Sequence, residues 1–206
     1  MKIESFADNF NPLPIGSSLE VVRYFIEEQG IEVNNAARKY GHTPLHWAVV
    51  HSSLDVMQYL VSQGADVNAK DYGGATPLHF ATAAHCSLYV IQYLVLQGAD
   101  LNMKDDRGRT PLHEAADRQS WRNRETVVGV LKYLISQGAD VHAKDKDGQT
   151  PFDVAVVDSK KRFLRKMKYL ISQGVDVHAK DKNGQTPFDD AVQDTRKDIL
   201  REAMAR

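Results

Sequence analysis

Thr43-Pro44-Leu45-His46-Trp47-Ala48 decides the fold, because it returns in phase along the chain. Thr76-Pro77-Leu78-His79-Phe80-Ala81 and Thr110-Pro111-Leu112-His113-Glu114-Ala115 repeat it, and Thr150-Pro151-Phe152-Asp153 and Thr186-Pro187-Phe188-Asp189 continue the series. Threonine is a good N-cap, and proline is favoured just inside a helix start, where its missing N–H has no partner to lose. Each Thr-Pro therefore opens a first helix. A second apolar-periodic stretch follows, such as Leu54-Asp55-Val56-Met57-Gln58-Tyr59-Leu60-Val61. It stops at Gln-Gly, since glycine accepts the left-handed conformation past a helix end. From each Gln to the next Thr the spacing is 14 once and then 13, whereas from Thr to the next Gln it is 20, 21, 27 and 23. One segment is thus rigid in length, and the other absorbs every insertion. The rigid segment, for example Asp66-Val67-Asn68-Ala69-Lys70-Asp71-Tyr72-Gly73-Gly74, is polar and rich in turn formers, as an extended finger with a tight turn should be.

These helix, loop, helix, finger units resemble the ankyrin repeat, with its 33-residue period and Thr-Pro-Leu-His-x-Ala signature. Gly64-Ala65-Asp66-Val67-Asn68 and Gly98-Ala99-Asp100-Leu101-Asn102 match the family's second signature, and the resemblance covers residues 16–206. It implies an all-α solenoid of stacked helix-loop-helix units with short β-hairpin fingers. The expected organisation is one domain over 1–206: a cap unit at about 6–38, repeats at about 39–71, 72–105, 106–145 and 146–181, and a C-terminal cap at 182–206. Terminal units of such an array are atypical because one face meets water. Two departures stand out. Asp153 and Asp189 replace the signature histidine, and residues 132–156 and 168–192 differ over 25 aligned positions only at Ala139/Val175, Asp147/Asn183 and Val154/Asp190, as a recent local duplication would.

Composition narrows the function. The chain has 206 residues, 26 Lys+Arg against 27 Asp+Glu, and one cysteine, Cys86. A net charge of −1 argues against a globally basic nucleic-acid binder. A lone cysteine forms no internal disulfide or Cys-rich zinc site and favours a reducing compartment. No apolar run of membrane-spanning length is present, and Met1–Asp8 has no apolar run behind Lys2, so neither a bilayer span nor a secretory signal is expected. The expected location is cytoplasmic, with the nucleus or a host cytosol as alternatives. The charge is uneven: residues 1–103 carry 5 basic and 10 acidic side chains, and residues 104–206 carry 21 and 17.

Catalytic and cofactor motifs are weak. His113-Glu114-Ala115-Ala116-Asp117 resembles a zinc-protease motif with aspartate for its second histidine, but His113 sits in the signature slot, where the resemblance implies a hydrogen bond to threonine and backbone. Asp145-Lys146-Asp147-Gly148 lacks the first and last ligands of a calcium loop, because Ala143 and Val154 occupy those positions. No phosphate-cradling or dinucleotide motif occurs. Cys86 is expected to be an inert thiol. No enzyme activity, cofactor or metal is therefore expected. Tyr24, Tyr59, Tyr93, Tyr133 and Tyr169 form a column on the second helices, suited to half-buried packing with a wet hydroxyl.

The resemblance places recognition on the concave side, at finger tips and first helices. By phase, the positions are Lys39, Tyr40, His42, Trp47, Tyr72 and Phe80, then Arg107, Arg109 and Glu114. The first group is aromatic, of the type that anchors interfaces, and the second is charged. A second surface comes from the insertions at 118–124 and 160–168. There Arg118, Arg122, Arg124, Lys160, Lys161 and Arg162, with Trp121 nearby, form a weak anion-binding candidate. The leading expectation is a monomeric, noncatalytic adaptor, scaffold or inhibitor of another protein. A binder of acidic protein or nucleic acid through the insertions is the alternative, as is a host-directed bacterial effector. From the sequence, Trp47→Ala with Phe80→Ala should abolish partner binding and leave thermal unfolding nearly intact. Collapse of the fold in a melting experiment would instead show that these rings are core.

Overall fold

The computed structural model describes residues 18–37, 39–83, 86–117, 124–156, 169–187, 201 and 204. Its contacts divide into two compact units, residues 1–100 and 101–206.

In the first unit α1 (Leu19–Arg23) runs on into a wider π-helical turn, Tyr24–Glu28. Four helices follow: α2 (Pro44–Val50), α3 (Leu54–Ser62), α4 (Pro77–Ala83) and α5 (Leu88–Leu96). Helix α2 packs on α3 and on α4, α4 packs on α5, and α1 packs on α3. The second unit holds α6 (Pro111–Asp117), α7 (Arg124–Ser136) and α8 (Pro151–Val156), with α6 packed on both others, and residues 169–172 are also helical. Every Thr-Pro whose helix is described opens one there, as expected.

Apolar side chains at helical spacing make each contact face. Helix α2 buries Leu45, Ala48 and Val49; α3 buries Val56, Met57 and Leu60; α5 buries Val90, Ile91 and Leu94. In the second unit Leu112, Ala115, Leu131, Leu134 and Phe152 are fully shielded from water. Burying one such large side chain is worth about 1.5–3 kcal/mol. Alanines at 48, 81, 115 and 155 let neighbouring helices approach closely.

The helix ends follow from glycine. Gly64 has φ of 86°, its N–H donates to the Val61 carbonyl at 3.0 Å, and Ala65 N–H donates to the Leu60 carbonyl at 2.9 Å. That is a Schellman closure, and only glycine adopts such a φ without strain.

The fingers differ from the expectation of short β-hairpins: among the described residues they close as turns and form no strand. Asp71 explains the closure. Its Oδ1 accepts the N–H groups of Gly73 at 2.9 Å and Ala75 at 2.8 Å. Asp105, Asp145 and Asp181 do the same in their fingers. Among the described residues, neighbouring fingers within a unit share a backbone bond, such as Tyr72 N–H to the Tyr40 carbonyl at 3.0 Å, too few to build a ladder.

Two side chains tie repeat to repeat. Asn34 donates to the Gly64 carbonyl at 3.0 Å and accepts from Asp66 N–H at 2.8 Å. Asn68 and Asn102 repeat this pairing one and two steps later. The second tie is the signature histidine. His46 Nδ1 accepts from Thr43 N–H at 3.1 Å, so its proton sits on Nε2, which donates to the Ala75 carbonyl at 3.2 Å. His113 makes the same bridge from Thr110 to the Gln149 carbonyl at 3.1 Å.

This bridge needs a neutral ring. Burial lowers the pKa of His46 from 6.5 to about 4, and burial lowers that of His113. Below about pH 6.5 the unfolded chain takes up a proton that folded His46 refuses until about pH 4. Its contribution is therefore fully present above about pH 6.5 and is lost as the pH falls towards about 4, at roughly 1.4 kcal/mol per pH unit. Urea unfolding at pH 7 and at about pH 4.5 should show His46→Asn less stable than wild type at pH 7 but losing less on acidification. An unchanged pH slope would show that His46 is not the titrating tie.

Candidate functional site

The first unit gathers its candidates around His42. The Tyr40 ring stacks on the His42 ring at 5.4 Å, and Trp47 and Phe80 meet it edge-on at 5.3 and 4.9 Å. His42 Nε2 lies 3.4 Å from Asp71 Oδ2, so the carboxylate that closes the finger also orients this imidazole. Burial lowers the His42 pKa, and Asp71 opposes the shift in part. Phe80 also meets the His46 ring edge-on at 5.0 Å and so covers one tie between repeats. Trp47 and Phe80 are half-buried, whereas Tyr40 is 50% exposed and Tyr72 66% exposed. Lys39 holds its ammonium 4.8 Å from the Tyr40 ring centre. Tyr72 lies against Gly41, where a Cβ would stand 2.5 Å from the ring, so glycine at 41 is what lets the two tyrosine-bearing fingers meet. The indole Nε1 of Trp47 is buried with no hydrogen-bond partner among the described residues.

The second unit gathers Arg107, Arg109 and Glu114 in an ion network. Arg107 reaches Asp105 at 3.2 Å and Glu114 at 2.9 Å. Arg109 donates to Asp117 Oδ2 at 2.8 Å and to the His113 carbonyl at 3.2 Å, and its Nε makes a charge contact of 3.4 Å with Glu114. The two arginines differ in burial, with 66% of the Arg107 side chain exposed and 11% of that of Arg109. Beside them lies a cleft of about 380 Å³, walled by Arg107, Arg109, Asp117, Lys146, Asp147 and Val154 among others.

The phase argument thus picks residues that cluster within each unit. It misses Asp71, Asp105 and Asp117, which hold them. For the first two a signal was available, since aspartate stands five residues before Thr76, Thr110, Thr150 and Thr186. Of the anion-binding candidates, Arg118, Arg122, Lys160, Lys161 and Arg162 lie outside the described residues, as does Trp121; Arg124 opens α7, and only its backbone is described. Among the described residues no group of three or more His, Cys, Asp or Glu is placed to hold a metal, and no helix is long and apolar enough to cross a membrane. Cys86 is 2% exposed, donates to the Val49 carbonyl, and has its thiol pKa raised by burial, all away from a reactive thiolate. The second-helix tyrosines Tyr59, Tyr93, Tyr133 and Tyr169 are half-buried, and Tyr24 is more exposed.

Comparison with known proteins agrees with this architecture. Residues 15–71 and 122–203 match a family described as ankyrin repeats (3 copies), and residues 60–115 match ankyrin repeats (many copies). A putative ankyrin repeat protein of Fowlpox virus is 50% identical over 54 residues, 25% of this chain and 10% of that protein. An ANK repeat-containing protein of Caenorhabditis elegans is 39% identical over 66 residues, 31% and 11% respectively. The Neurogenic locus Notch protein of Drosophila melanogaster is 45% identical over 56 residues, 27% and 2%. The chain thus matches only a small part of the length of these relatives.

The two arginines should separate in a stability measurement. Removing Arg109 takes one guanidinium from the shielded Glu114 and a partner from the more open Asp117, so Arg109→Ala should cost about 2 kcal/mol in urea unfolding. Arg107→Ala should cost about 1 kcal/mol or less, because that pair is open to water. Equal losses would show that burial does not set the strength of this network.

Proposed function

The chain belongs to the ankyrin-repeat family, and from that premise we propose that it is a noncatalytic adaptor, scaffold or inhibitor that docks one protein partner on its fingers and first helices. Ankyrin repeats generally serve as protein–protein interaction modules. The observation that carries the reading is the aromatic group of the first unit. Two exposed tyrosines stand on adjacent fingers beside half-buried Phe80 and Trp47, whose indole N–H has no hydrogen-bond partner among the described residues. A fold selected for stability alone would pair that donor and cover those rings. Aromatic anchors over a rigid frame lose little entropy on docking, which suits a binding face. Within the second unit the ion network offers a polar surface of its own, with Arg107 and Lys146 exposed beside the cleft.

The partner is proposed to be bound by a monomer, in the cytoplasm. Acidic protein or nucleic acid bound through the insertions is the second reading, carried by their run of lysines and arginines. Affinity capture from the native lysate distinguishes the two. Tyr40→Ala with Tyr72→Ala should release the partner, while Tyr89→Ala with Leu96→Ala, on an exposed face of α5, should retain it. Loss of the partner only on neutralising Lys160, Lys161 and Arg162 would overturn the aromatic reading in favour of the insertions.

A further inference from the structure

Neighbouring fingers meet in a fixed register, and the register pairs side chains. Tyr72 N–H reaches the Tyr40 carbonyl at 3.0 Å, Lys146 N–H the Arg107 carbonyl at 2.8 Å, and Lys182 N–H the Asp147 carbonyl at 3.0 Å. Each bond links the residue four before one threonine to the residue three before the previous one. At the two steps of the second unit both side chains are charged, Arg107 with Lys146 and Asp147 with Lys182. At the step of the first unit both are tyrosine.

Two observations say what this pair of rings is suited to hold. The first is that a cation already stands there. The Lys39 ammonium lies over the Tyr40 ring, 4.8 Å from its centre. The negative face of an aromatic ring attracts such a group, and arginine fills the role more often than lysine. An ammonium is compact and strongly hydrated, whereas a guanidinium is planar, less hydrated and stacks on a ring face. The second observation is charge. Residues 1–100 carry 10 acidic side chains against 5 basic ones. Asp71, directly before Tyr72, belongs to this finger and turns its carboxylate onto the finger backbone and His42. A cation approaching the tyrosines is thus drawn by the unit as a whole.

The rings are also ready for contact. Tyr40 and Tyr72 are both exposed, yet both are held. Tyr40 stacks on His42, and the Tyr72 ring packs against Gly41 where any Cβ would clash. Exposed rings in fixed positions lose little freedom when a ligand arrives.

We propose that this tyrosine step is a receptor for an arginine side chain on a basic segment of the protein partner, and that Lys39 is its built-in occupant, displaced on docking. The proposal rests on the fingers being the docking face and adds the chemistry of what docks there. The incoming guanidinium takes the ring face that the Lys39 ammonium now covers, and the released lysine returns to water. One cation replaces another, so the charge at the step is unchanged and the exchange selects for the flatter, less hydrated group.

A labelled, blocked hexapeptide of alternating arginine and glycine tests this on the full chain without a native partner. The same peptide with citrulline for arginine has nearly the same shape and no charge. Fluorescence anisotropy should show the arginine peptide binding at least about ten-fold tighter than the citrulline peptide. Tyr40→Leu and Tyr72→Leu should each weaken it several-fold, while Tyr40→Phe, which keeps the ring, should not. Lys39→Gln should tighten binding several-fold, and should change nothing in the Tyr40→Leu background, where no ring face is left to contest. All three side chains are exposed, so melting temperatures should stay close to wild type and the losses are read on folded protein. Equal binding of the two peptides, full binding by the leucine variants, or an affinity that Lys39→Gln leaves unchanged would each overturn the proposal. Tightening by Lys39→Gln that persists beside Tyr40→Leu would overturn it too, by showing only the general pull of an acidic unit on a basic peptide. Release of the lysate partner by Tyr40→Ala with Tyr72→Ala, together with no preference for the arginine peptide, overturns the arginine receptor and leaves the docking face in place.

Discussion

A neutral imidazole joins one repeat to the next, and much of the structure is arranged around keeping it neutral. His46 receives the Thr43 N–H on one nitrogen and gives its proton to the Ala75 carbonyl from the other. The contact with Thr43 fails if the ring takes a second proton, because Nδ1 then has no lone pair to offer. Burial supplies the protection: His46 and His113 are fully shielded from water, and Phe80 lies edge-on to the His46 ring. The same threonine opens the helix that carries the histidine, so helix start, helix position and repeat-to-repeat bond depend on one short motif. Asn34, Asn68 and Asn102 add a second tie on the turns, each bonding backbone groups of the next repeat. Both ties end on main-chain atoms, which leaves the side chains of the receiving repeat free to vary.

That freedom lets one frame carry different chemistry. The position after the signature histidine is Trp47, Phe80 and Glu114 in successive repeats, and the finger position before threonine is His42, Ala75 and Arg109. In the first unit these slots build an aromatic cluster around one imidazole, and in the second they build a ladder of arginines and carboxylates. The recurrent finger aspartate serves both. Asp71 closes its turn with one oxygen and meets His42 with the other, while Asp105 closes its turn and meets Arg107. The finger side chains His42 and Arg107 are thus held by the residue that shapes the loop.

The duplicated end of the chain shows what happens when the frame itself is altered. Asp153 keeps the threonine cap and loses the outgoing bond, so local helix structure survives while the tie to the next repeat weakens. Burial raises the Asp153 pKa, partly opposed by its bonds to Thr150, which is opposite in sign to the histidines and reverses the local response to acid.

Much of this was legible in the sequence because it rests on local rules. Thr-Pro fixes helix starts, Gln-Gly fixes helix ends through positive φ, and the constant spacing between them fixes the fingers; these follow from backbone sterics and capping, which act within a few residues. The phase of the repeat also picked out Tyr40, Trp47 and Phe80 in one unit and Arg107 and Arg109 in the other as candidates. What the sequence alone left open was how those side chains settle. Which rings pack on His42, that Arg109 sinks towards Asp117 while Arg107 stays in water, and that the fingers close as turns on an aspartate depend on burial and on partners brought together from separate helices and fingers. Those are energies of desolvation and contact, and they take their sign only once the tertiary structure has decided which groups face water and which face one another.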